Sequence, residues 1–208
     1  MFTAKEVAWL IIVIIIFEFI IIFPLQKDFN PIIVVVPPLI ILFNVIPKKF
    51  VGKILNIKVE HKIWEFQRWG LYRRSALKKP IPMGLFLPFV LSIFSLGLIR
   101  MFTLLQFEAA NIREKRILKQ LGFKRKPEIN DFDLGFTAAS GFYSLLILAA
   151  IGFLAGFHDL AKFTVYYSIW NLIPFGRLDG TKLFYGTVLN WGIIFILNII
   201  AFALVIVL

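Results

Sequence analysis

Cysteine is absent from this chain, which excludes disulfides and thiolate metal ligands. Histidine is almost as scarce: His61 and His158 are the only two, so a metal centre or an imidazole catalyst has little to draw on. Acidic residues number 12 against 23 lysines and arginines, which leaves a formal net charge of +11. No stacking platform or nucleic-acid-binding motif accompanies that charge, so nucleic acid is not the expected partner. Internal repeats and low-complexity linkers are also missing.

What the chain does have is apolar surface. Of its 208 residues, 60% are apolar and 16% aromatic, and the mean hydropathy is +0.86. Soluble domains sit near about 45–50% apolar, so this composition belongs in lipid. We expect one membrane domain over 1–208, with an anchor helix in 1–30, a core in 31–190 and a spanning helix in 188–208. The lipid bilayer is then the first partner.

The first apolar run, Val7 to Phe23, is long enough to span and has no small-residue cleavage site after it. Glu18 interrupts it. A carboxylate there reads as a proton or ion site, or more simply as a buried acid neutralised by protonation or a basic partner. The second run, Pro31 to Ile46, contains Pro37-Pro38, which should kink it or delay its helix. Residues 48–80 then carry ten basic side chains against Glu60 and Glu65. Within them Ile57, Val59, His61 and Ile63 alternate with polar residues, the period of a strand. Trp64, Phe66 and Trp69 follow among charges, as suits a membrane–water interface.

The third run, Ile81 to Phe107, includes Pro82, Pro88 and Arg100. After it, residues 106–132 form a second basic loop whose first half, Glu108 to Leu121, reads as a surface helix ended by Gly122. Positive-inside charge bias puts both basic loops on one side, so residues 81–107 are expected to re-enter rather than cross. Runs over Phe136–Phe157, Leu160–Ile173 and Val188–Leu208 complete the chain, with a turn at His158-Asp159. The expected fold is an all-α polytopic membrane protein with about five transmembrane helices, one re-entrant or sixth apolar segment and a short interfacial β-element. Its N-terminus and basic loops would be cytoplasmic, in the plasma membrane of a prokaryotic cell.

One stretch is polar where the chain is otherwise apolar: Asn171-Leu172-Ile173-Pro174-Phe175-Gly176-Arg177-Leu178-Asp179-Gly180. A carboxylate at or near bilayer depth costs several kcal/mol unless it is paired, and irregular backbone there needs protein or a polar cavity around it. The simplest account is a membrane helix ending in a polar turn. The whole pattern, however, resembles the N-x-x-P-x-x-x-L-D-G signature of the site-2 protease family of intramembrane metalloproteases, carried here by Asn171, Pro174, Leu178, Asp179 and Gly180.

That resemblance implies that Asp179 stands where the family has its third zinc ligand. The other two ligands and the general base come from H-E-x-x-H on a helix, whose i, i+4 spacing puts both histidines on one face. No H-E-x-x-H occurs in this chain. On the family's register Asn44 stands at the first His, Val45 at the Glu and Lys48 at the second His. The segment Ala139–Ser144 resembles the family's A-G-P-x-x-N helix start, with the Pro and Asn lost. His61 and His158 read as ordinary loop histidines far from Asp179.

The expectation is therefore a pseudoprotease without catalytic residues or cofactor, one that binds or regulates a transmembrane segment of another protein. With the dication gone, Lys48 and Asn44 would hold Asp179, against Arg177 and Lys182 as nearby competitors. One alternative is an active zinc metalloprotease with unusual ligands, Asp179 among them. Another is a transporter or insertase using Glu18 and Arg100.

Overall fold

The computed structural model describes residues 2–23, 31–68, 76–97, 101–111 and 129–207. It is mostly helical, with a small sheet component. Helix α1 (Ala4–Ile22) opens with a capping box between Thr3 and Glu6. A 3-10 turn over Pro31–Val35 leads into α2 (Val36–Ile54). Pro37 and Pro38 sit in the first turn of α2, where their missing N–H groups leave no helical bond unmade. The helix continues through Pro47 into the basic segment, eight residues beyond the apolar run, so Asn44 and Lys48 lie one turn apart on one face.

The alternating stretch is strand β1 (Ile57–Ile63), with Ile57, Val59, His61 and Ile63 all buried. A short hairpin-like pair, β2 (Phe66–Arg68) and β3 (Ala76–Ile81), follows. Helix α3 (Met83–Phe94) has only 12 residues, a length of about 18 Å at 1.5 Å per residue. Then β4 (Leu105–Asn111) pairs antiparallel with β1, with His61 opposite Phe107 and Ile63 opposite Leu105. Trp64 ties the two ends of the third apolar run together. Its N–H donates to the Leu104 carbonyl (3.0 Å), its carbonyl accepts from Gly84 (2.9 Å), and Leu104 N–H donates to the Gly84 carbonyl (3.0 Å). Residues 84 and 104 are thus neighbours, and the segment between them leaves and returns to one place.

Three expectations need correction here. Glu108 to Asn111 is strand, not surface helix, because β1 offers a hydrogen-bonding edge that local sequence cannot register; residues 112–128 of the expected helix lie outside the described residues. Ala139–Ser144 is not a helix start but the middle of α4 (Asp131–Leu154), which begins where the Asn130 side chain accepts from Phe132 N–H and Asp131 and Asp133 meet the positive end of the helix dipole. The turn before α5 (His158–Leu172) is Ala155–Phe157, with Gly156 at φ +79°, and His158 is already helical.

The chain ends with α6 (Asp179–Gly186) and α7 (Val188–Val207). Helix α4 is the centre of packing, touching α2, α5, α6 and α7. Among the described residues three helical stretches are long and apolar enough to cross a membrane: Ile33–Ile54, Asp131–Leu154 and Val188–Val205. Helix α7 shows why lipid suits them. It buries Ile194 and Asn198, four residues apart, while Leu189, Ile193, Phe195, Ile196, Ile199, Ile200 and Leu204 are exposed. Apolar surface of that extent is compatible with an integral membrane location.

Gly141 is where α4 meets the polar face of α2. A Cβ there would overlap Lys48 Cε and stand 2.7 Å from Asn44 Oδ1. Gly141→Ala should therefore force α2 and α4 apart and destabilise the protein by about 1–3 kcal/mol, the usual cost of overpacking. Thermal unfolding in detergent measures this; an unchanged midpoint would mean the helices do not meet at Gly141.

A candidate site around a buried ion pair

The polar stretch is laid out by the end of α5. Pro174 lacks an N–H and cannot continue that helix, and Gly176 at φ +62° turns the chain. Leu178 then packs with Trp64, Met101 and Leu104, which fixes where α6 begins. Asp179 is its first residue, and Gly180 lies against the Leu172 carbonyl.

Asn171 and Asp179 both act on β4. Asn171 Oδ1 accepts from Leu105 N–H (3.1 Å), and its Nδ2 donates to the carbonyls of Tyr167 (3.0 Å) and Thr103 (3.5 Å). Asp179 Oδ1 accepts from Phe107 N–H (3.2 Å), and Lys182 Nζ donates to the Phe107 carbonyl. Residues two apart on a strand point the same way. The edge of β4 facing away from β1 is therefore capped at Leu105 and Phe107 by the motif and by α6.

The other Asp179 oxygen, Oδ2, accepts from Lys48 Nζ, and both side chains are completely buried. Phe107 and Phe142 close over the ammonium, with ring centroids 6.0 and 5.6 Å from Nζ. Burial alone would raise the Asp179 carboxyl, but the charges of Lys48 and Lys182 and the Lys48 hydrogen bond outweigh it and hold the carboxyl below its ordinary range. Lys48 thus prevails over Arg177, which is exposed, and over Lys182, which is turned to Phe107.

Asn44 departs from expectation. It is buried, but its Nδ2 donates to the Tyr167 hydroxyl at 2.8 Å rather than to Asp179. The reason is geometric: one turn earlier on α2 than Lys48, it faces α5. Val45 is fully buried in the apolar core.

His61 also needs correction, since it is buried in β1 rather than in a loop. Glu6 Oε1 accepts from both its backbone N–H and its Nδ1–H, each at 3.0 Å. Glu6 Oε2 accepts from Lys49 Nζ at 2.6 Å. Burial lowers the His61 pKa further than Glu6 raises it, so the imidazole is neutral at pH 7. Lys48 and Asp179 are within its electrostatic reach. A second buried ionic cluster thus lies near the first, and its key acid, Glu6, is one that sequence reasoning passed over. The Thr3-Ala4-Lys5-Glu6 capping box was a legible signal for its helix position, though not for its partners.

The remaining candidates stay apart. His158 is exposed at the start of α5, the end remote from Asp179, with its ring 6.0 Å from Phe153. Glu18 is half-buried and makes no ion pair among the described residues, and Arg100 lies outside them. Among the described residues no three His, Asp or Glu side chains are grouped to hold a metal ion. Comparison with family models, with curated proteins and with solved structures finds no match to this chain.

Removing one partner of a buried ion pair strands the other charge, so Lys48→Met and Asp179→Asn should each cost roughly 3–5 kcal/mol, and the double variant less than their sum. Denaturant unfolding in detergent gives the coupling; additive losses would mean no pair. The depressed Asp179 carboxyl also predicts a pH effect. Its stabilisation is complete above its unfolded value of 3.8 and is lost as pH falls through the lower folded value. Acid titration of stability should show that loss in the native chain and less of it in Asp179→Asn.

Proposed function

We propose that this chain is a catalytically inactive, site-2-protease-like membrane protein that binds or regulates membrane segments of other proteins. The observation that carries this reading is the contact between Lys48 and Asp179. Family resemblance pairs those two positions as ligands of one zinc ion, although they are 131 residues apart in the chain. An ammonium group now meets the carboxylate that the dication would meet.

The residues present do not fit the family's zinc. Lys48 as an ammonium offers no lone pair, and its nitrogen is already bound to Asp179. Asn44 uses its amide on Tyr167, and Val45 has no group that could activate water. No hydrolytic step follows from such a set. Retaining the helices without the chemistry leaves recognition, protection or regulation of a transmembrane segment as the work such a scaffold can do.

In this reading the chain crosses the bilayer about five times, with α1 and α5 joining the three longest apolar helices. Residues 81–107 re-enter, which the pairing of Gly84 with Leu104 supports. The N-terminus and both basic loops face the cytoplasm, on the anionic leaflet that attracts lysine and arginine.

Metal analysis of the purified protein tests the central claim. Zinc well below one equivalent per chain is expected; a full equivalent that disappears in Asp179→Ala would replace this reading with a working metalloprotease. A gain-of-binding variant tests the register independently. Asn44→His, Val45→Glu and Lys48→His together restore H-E-x-x-H opposite Asp179 and should bind zinc, whereas the same changes with Asp179→Ala should bind it more weakly.

A further inference from the structure

Beside the ion pair a groove of about 710 Å3 runs between the outer edge of β4 and α6. Glu108, Asp131, Arg177, Thr181, Lys182 and Tyr185 are in its walls. That volume is in the range of small-molecule sites.

The charge balance at Lys182 is unusual. Both oxygens of Asp179 are engaged, one by Lys48 and the other by Phe107 N–H, so two ammonium groups crowd a carboxylate that only one of them holds. Lys182 is left with the Phe107 carbonyl and the Phe107 ring, whose centroid is 3.6 Å from Nζ. Among the described residues the surrounding charges do not restore the balance. Glu108 is taken by Lys62 at 2.8 Å, Arg177 adds positive charge, and Asp131 is in the first turn of α4, where the helix dipole attracts it. Lys48 is sealed against its carboxylate, whereas Lys182 lines a groove. Of the two lysines, Lys182 is the one in the groove wall.

We propose that Lys182 is a reactive amine that captures small aldehydes entering this groove as imines. The neutral Nζ attacks the carbonyl carbon, a C–N bond forms, and the carbonyl π pair moves to oxygen, which takes up a proton. The resulting carbinolamine loses its oxygen as water while nitrogen releases its second proton. Aldehyde and amine become imine and water with no change of oxidation state. Thr181 Oγ1, buried and without a hydrogen-bond partner among the described residues, puts a hydroxyl in the same wall. The electrostatics agree: burial first, then Lys48 and Arg177, outweigh Asp179 and Glu108 and bring Lys182 from 10.5 down to about 8.

Salicylaldehyde with cyanoborohydride, applied to the full chain in detergent, tests this by peptide mapping. At pH 8 the adduct should form on Lys182 about tenfold faster than on the exposed Lys53 and Lys58, since a lysine neutral near ambient pH is the better nucleophile. The Lys182 rate should rise around pH 8. In Lys182→Arg, which keeps the charge and a donor to the Phe107 carbonyl, that adduct should vanish while labelling of Lys53 and Lys58 is unchanged. Labelling of Lys182 no faster than theirs, or only above about pH 10, would overturn the proposal.

Discussion

A carboxylate and an ammonium shut away from water in an apolar interior cannot be separated cheaply, and this fold is arranged around one such pair. Lys48 and Asp179 lie on α2 and α6, which α4 bridges, and neither side chain reaches solvent. Each charge is tolerable only because the other is there. Several otherwise unrelated features follow from that. Gly141 leaves room for the lysine stem, Phe107 and Phe142 cover the ammonium, and Phe107 N–H satisfies the carboxylate oxygen that Lys48 does not reach.

The polar residues of the Asn171–Gly180 stretch have a second task in holding β4. A two-stranded sheet inside a helical protein exposes two edges, and the backbone groups on a buried edge need partners. Side chains provide them here: Asn171 and Asp179 take the N–H groups of Leu105 and Phe107, and Lys182 takes the Phe107 carbonyl. Glu6, His61 and Lys49 make a comparable arrangement between α1, β1 and α2. Ionic groups thus mark the seams where helices meet the sheet, while aromatic contacts such as Phe17 with Phe102 (4.4 Å) and Tyr167 (5.6 Å) fill the interior between them.

Much of this was legible in one dimension. Alternation over Ile57–Ile63 marked β1 because a strand with one buried face must repeat every two residues. Apolar length marked the long helices, and the i, i+4 spacing of Asn44 and Lys48 placed them on one face of α2. The meeting of Lys48 with Asp179 was reachable too, since a buried acid demands a cation and Lys48 was the one expected on the face of α2 that carries Asn44. Less was used at β4: Leu105, Phe107 and Ala109 alternate with Gln106 and Glu108, but over five residues only, between an apolar run and a charged stretch that reads as helix, and the pairing edge of β1 has no local signal. Asn44 was assigned the wrong partner because Tyr167, 123 residues away, has no sequence signal that connects the two. His61 was assigned to a loop although the alternation put it on the apolar face, because its partner Glu6, 55 residues away, has no local signal.

Composition and spacing by themselves determined that the chain is an apolar, basic, cysteine-free protein of long helices with one anomalous polar stretch. Those properties depend on the identity and order of neighbouring residues, which sequence contains in full. Only tertiary structure decided that Asn44 holds Tyr167, that Glu6 meets His61 and Lys49, and which strand covers which edge. Such choices are made between groups tens to more than a hundred residues apart. They are settled by the cost of leaving a buried charge or amide without a partner, and that cost is paid only once the chain has folded.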